Sequence, residues 1–163
     1  MKKTLRFSLL SLLMMICGMT FAQTTVTFEA ATDKSASSTA TPNVTITKDG
    51  VTIQAGNGIF GNGKEYRIYK NQLLTITSTE GNIQKIEFTC TANDNAQYGP
   101  GNFTNPTAGT YTFSGKIGTW TGDAASLTMT AGGAQVRATK IVVTIGSTDP
   151  NAVAAPVITG QTE

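Results

Sequence analysis

Beyond residue 22, apolar side chains recur at every second position in short runs separated by turn residues, and no sustained 3.6-residue apolar period appears. A period of two sends alternate side chains to opposite faces of an extended segment, so the runs read as half-buried β-strands. Parallel strands need a crossover connection of a dozen or more residues, usually a helix, and none is available. The pairing is therefore expected to be antiparallel.

The first run, TTVTFEA, places Val26 and Phe28 on one face, and the Ser/Thr/Ala stretch from Thr32 to Thr41 reads as a surface loop. Val44 and Ile46, then Val51 and Ile53, flank Lys48-Asp49-Gly50. Asp-Gly between alternating runs is a strong signal for a tight hairpin. The segment AGNGIFGNGK, residues 55–64, holds four glycines and two asparagines and reads as a loop that visits positive φ several times. EYRIYK and QLLTITS are expected to form a pair joined at Asn71, with Arg67 and Tyr69 on one face and Tyr66 and Ile68 on the other. After a turn at Glu80-Gly81-Asn82, IQKIEFTCTA reads as a central strand. TYTFSG, GTWTG and ASLTMTA follow. Gly132-Gly133 then turns the chain into AQVRATKIVVTIG, with Ile141, Val143 and Ile145 on one face. This spacing predicts an all-β, antiparallel β-sandwich of jelly-roll type with about nine or ten strands.

Residues 2–22, KKTLRFSLLSLLMMICGMTFA, have the form of an export signal: Lys2, Lys3 and Arg6, an apolar stretch from Leu9 to Cys17, and Thr20-Phe21-Ala22 as a small-x-small cleavage site. The apolar run is too short to span a bilayer, so no membrane span is expected in the mature chain. The expected domains are a signal peptide at 1–22, a β-sandwich module at 23–146, and at 147–163 a linker with the truncated start of a following module. Cleavage removes three of the twelve basic residues and none of the ten acidic ones, leaving nine against ten. No basic cluster remains for a phosphate backbone, which argues against nucleic acid. Cys90 is then the lone cysteine, alternating with Phe88 and Ile86, and is read as a buried apolar side chain in a fold held by packing.

The chain has no histidine, which removes the usual neutral-pH base, the Ser-His and Cys-His pairs and the commonest transition-metal ligand. Carboxylates that could pair for glycoside hydrolysis (Glu29, Glu65, Glu80, Glu87, Asp94 and Asp123) share no local motif. An enzyme is not expected, and no cofactor is implied. Asn93, Asp94 and Asn95 form the densest oxygen cluster and are weak calcium candidates, since the triplet lacks EF-hand spacing and such a triplet is more often a turn. Two Asn-x-Thr sequons, at Asn43 and Asn102, occur in a Thr-rich chain where chance matches are common.

Sugar recognition needs flat rings beside planar hydrogen-bonding groups. The available rings are Tyr66, Tyr69, Tyr98, Phe103, Tyr111 and Trp120, with Arg67 and Arg137 as donors. Tyr98 and Phe103 lie in the long segment NDNAQYGPGNFTNPTAG, residues 93–109, where a ring is expected to have little core to fill. Trp120 suits either packing or a ligand face. Candidate ligand-binding residues are therefore Tyr98, Phe103, Trp120, Arg67 and Arg137.

The segments EYRIYKNQLLTITSTEGNIQKIEFTCTA, YGPGNF, GTWTG and AQVRATKIVVTI together resemble a module found repeatedly in secreted and surface proteins of Bacteroidetes, over about residues 24–146. The resemblance implies a sandwich similar to galactose-binding-like and carbohydrate-binding domains. AAPVITG in the tail resembles the first strand of an immunoglobulin-like module of chitobiase C-terminal type, and Gln23 after Ala22 fits the export style of that phylum. The expectation is an exported, non-catalytic module, periplasmic or on the outer cell surface, that binds a glycan or polysaccharide or displays neighbouring modules at the surface. The alternative is a spacer or adhesin subunit contacting neighbouring domains or an extracellular protein.

Overall fold

A computed structural model describes residues 23–146. The expected signal peptide and the expected start of a following module lie outside the described residues. Eleven strands run in chain order: β1 (Gln23–Glu29), β2 (Thr41–Lys48), β3 (Val51–Ile59), β4 (Tyr66–Ile68), β5 (Leu73–Ser78), β6 (Ile83–Cys90), β7 (Phe103–Thr104), β8 (Thr110–Ser114), β9 (Ile117–Ala124), β10 (Ser126–Ala131) and β11 (Val136–Gly146). All the strand pairs are antiparallel. The fold is the expected all-β sandwich. The strand beyond the expected number is β7, two residues long and set inside the segment expected to be loop.

One layer runs β7-β10-β5-β3-β2 and the other β8-β9-β6-β11-β1. The three residues of β4 join them, pairing with the end of β3 on one side and the start of β11 on the other. Alternation sets the core. Ile53, Leu74, Ile76 and Leu127 face inward from the first layer, and Phe28, Ile86, Phe88, Ile141 and Val143 from the second, all within one buried cluster. Cys90 is buried there as a free thiol. Burial raises its pKa to about 12, because an apolar surrounding disfavours the thiolate.

The β2–β3 hairpin has the expected two-residue turn. Lys48 pairs with Val51, and Asp49 and Gly50 both take positive φ, at 46° and 73°, as a type I′ turn requires. Two expectations are corrected. Residues 55–59 continue β3 rather than entering a loop, and within 55–64 only Gly63 has positive φ. The glycine at 58 serves close approach instead, since a Cβ there would run into the carbonyl of Arg67 where β4 crosses. Further, β4 and β5 do not pair with each other. Both lie along the same side of β3, where β5 takes residues 51–55 and β4 takes 58–59, and Asn71 turns the chain between them at φ 62°.

Candidate functional site

At the β4–β11 corner, Arg67 lies directly opposite Arg137 in the antiparallel register. Each follows from alternation. Tyr66 and Ile68 point inward, as do Val136 and Ala138, so both arginines face outward. Like charges directly opposite on neighbouring strands repel. Glu65 compensates: its Oε1 accepts from Arg67 Nε at 2.8 Å and lies 2.7 Å from Arg67 Nη2 and 3.6 Å from Arg137 Nη1. The Glu65 side chain is only 12 % exposed, against 29 % and 24 % for the two arginines. A partly desolvated carboxylate thus underlies two guanidiniums that reach solvent.

The Arg137 guanidinium is fixed from two more directions. Its Nε donates to Gln135 Oε1 at 3.1 Å, and its central carbon sits 3.6 Å from the centroid of the Tyr98 ring, a cation–π contact. Tyr98 reaches this place because β6 ends at Cys90 and the chain folds back to lie along the start of β11. Its N–H donates to Gln135 O at 2.9 Å and its carbonyl accepts from Arg137 N at 3.4 Å. This gives Tyr98 a φ of 80°. Among the described residues it is the only non-glycine other than Asn or Asp with positive φ, and for a bulky side chain that conformation is strained.

Of the five expected ligand-binding residues, the fold brings together Tyr98, Arg67 and Arg137. Phe103 and Trp120 are corrected to core. Phe103 is 3 % exposed and packs on Phe88 at 5.0 Å, because the segment from residue 93 folds over the end of the sandwich instead of standing off it. Asn102 holds that fold, its buried amide donating to Ala96 O at 2.8 Å and Gly99 O at 3.0 Å. The same burial withdraws the Asn102 sequon from solvent. Trp120 is fully buried, with Nε1 donating to Ala108 O at 2.6 Å. Tyr66 and Tyr111 are likewise tied down, donating to Asp33 O at 2.7 Å and Pro100 O at 2.9 Å. Desolvation raises both phenol pKa values.

Asn93, Asp94 and Asn95 occupy a turn. Asp94 Oδ1 accepts from Gly115 N at 2.7 Å, and Asp94 N donates back to Gly115 O at 2.7 Å, so this side chain staples the segment to the β8–β9 turn. Among the described residues no three Asp, Glu, His or Cys side chains converge on a point that could hold a metal, and no helix is long and apolar enough to cross a membrane.

Elsewhere, a groove of about 440 Å³ runs between β1 and β2, lined by Phe28, Thr32, Asp33, Lys34, Ile46 and Lys48 among others. Lys48 lines it and reaches Asp33 Oδ1 at 3.1 Å and Thr27 O at 2.8 Å. Asp33 Oδ2 also accepts from Glu29 N at 2.9 Å. The Asp33 carboxyl is held below its ordinary pKa, first by that backbone bond and then by Lys48.

The sequence marks Glu65 only as a carboxylate suited to hydrolysis and gives Gln135 no role. The i, i+2 spacing of Glu65 and Arg67 on one strand face was the available signal. Comparison with family models, with curated proteins and with solved structures gives no match to the chain.

Proposed function

We propose that this chain is an exported, non-catalytic β-sandwich module that binds a glycan or polysaccharide at the β4–β11 corner. One observation carries the reading: two outward guanidiniums stand side by side with their planes held by Glu65, Gln135 and the Tyr98 ring. A pre-oriented guanidinium fork loses little freedom on binding and matches paired oxygens on a ligand. The face of Tyr98 toward Arg137 is covered, so the tyrosine acts mainly as the clamp that presents the arginine. The export leader and the resemblance to secreted Bacteroidetes modules support a periplasmic or outer-surface location.

The test is a glycan array probed with the purified chain and with Arg137→Ala and Tyr98→Ala. The reading expects hits that both substitutions weaken. An array with no hits, or hits indifferent to both, would refute it. A second reading, a spacer or adhesin subunit, has one observation in its favour: Phe113 and Ile117 flank the β8–β9 turn at 41 % and 37 % exposure, on an outer edge of the sheet. It expects Phe113→Ser, rather than Arg137→Ala, to abolish adhesion to a neighbouring protein.

A further inference from the structure

We infer that the β4–β11 corner selects acidic sugars, with a uronate carboxylate seated between Arg67 and Arg137. The inference rests on the glycan reading and deepens it. Glu65 is one carboxylate facing two guanidiniums, and it spends Oε1 on Arg67 at hydrogen-bond distance while standing 3.6 Å from Arg137. The corner therefore keeps a surplus positive charge, and it lies on the Arg137 side. Among the described residues the terminal nitrogens of Arg137 have no hydrogen-bond acceptor, and neither does Arg67 Nη1.

Three side-chain atoms among the described residues, Thr91 Oγ1, Asn62 Nδ2 and Asn57 Oδ1, are buried without a partner. Thr91 donates its backbone N–H to Arg137 O at 3.0 Å, one position beyond the inward-facing Cys90–Ala138 pair, which puts it on the outer face with Arg137. Its hydroxyl is buried without a partner. Asn62 shapes the turn into Glu65, with Oδ1 accepting from Lys64 N and Glu65 N, and its Nδ2 is likewise buried and unpaired. A corner with surplus charge and free N–H groups fits an anionic acceptor better than a neutral hydroxyl, and charge-assisted bonds to a carboxylate are the strong ones.

A carboxylate can belong to a sugar or to a simple organic acid. Calorimetry on the purified chain separates the sources with four probes: trigalacturonate, its methyl ester, neutral galactotriose and acetate. Trigalacturonate is expected to bind best, more weakly as salt rises. Its affinity should fall by at least about ten-fold in Arg137→Ala and in Arg67→Ala, a charge-assisted bond being lost in each. Lys85→Ala, which removes a distant cation paired with Glu87, should change nothing. Circular dichroism checks each fold. Arg137→Lys, which keeps the charge and loses the planar fork, carries the test if the alanine variant does not fold, and should also bind more weakly. Methyl ester or galactotriose binding as tightly as the acid would overturn acid selectivity while leaving the glycan reading standing. No binding by any of the three sugars would overturn the uronate inference, and acetate binding as tightly as trigalacturonate would overturn both.

Discussion

Replacing Trp120 by phenylalanine tests whether this ring belongs to the core or to a binding face. The indole is fully buried on β9, wedged against the backbone at Gly109 and Gly122, where an added Cβ would collide with it. Phenylalanine removes the Nε1–H that donates to Ala108 O at 2.6 Å and leaves a void along the missing ring. An orphaned buried carbonyl costs about 1–3 kcal/mol, and a partial loss of aromatic volume adds about 1 kcal/mol more, so the expected destabilisation is about 2–4 kcal/mol. For a domain of this size that corresponds to a fall in Tm of roughly 8–16 °C. Trp120 is the sole tryptophan, so unfolding in urea should be followed by far-ultraviolet circular dichroism rather than by fluorescence. A loss below about 1 kcal/mol, or a loss of glycan binding with stability intact, would refute its assignment to the core.

Three further outcomes follow from geometry already described. At Tyr98, with φ 80°, Tyr98→Gly should be about 1 kcal/mol more stable than Tyr98→Ala, although both lack the ring, because alanine retains the left-handed strain; equal urea midpoints would contradict the strain. The Cys90 thiol, pushed up to about 12 by burial, should resist iodoacetamide at pH 8 in buffer and react fully in urea, since the thiolate is the nucleophile; rapid native labelling would show the β6 end to be open. The folded-state pKa of Asp33 is lowered from 3.8, so its stabilisation is present above that value and disappears as pH falls through the folded-state pKa. Asp33→Asn should lose stability at neutral pH and show a smaller further loss on acidification than the parent, read from urea midpoints at pH 7 and pH 3.

The strands were legible because alternation is a local property: Val51, Ile53, Ile141, Val143 and Ile145 could each be assigned an inward face from their immediate neighbours. The hairpin at Asp49 and Gly50 was equally local. Misreadings came where chain direction depended on distant partners. Gly56 and Gly58 looked like a loop, yet they extend β3 because β2 pairs along residues 55–58 and β4 crosses at Gly58. Phe103 looked free because nothing nearby in sequence indicates that residues 93–109 close the sandwich end. Tyr98, Arg67 and Arg137 were nameable as types suited to a ligand, but their convergence depends on pairing between β4 and β11, some seventy residues apart in the chain.

The placement of β4 has a mechanical consequence. A polymer gripped by Arg67 and Arg137 would be fastened to two adjacent strands, one of which is also bonded to the opposite layer through Gly58 and Ile59. Tension applied along such a polymer would be shared between both layers at their seam rather than borne by a single edge strand.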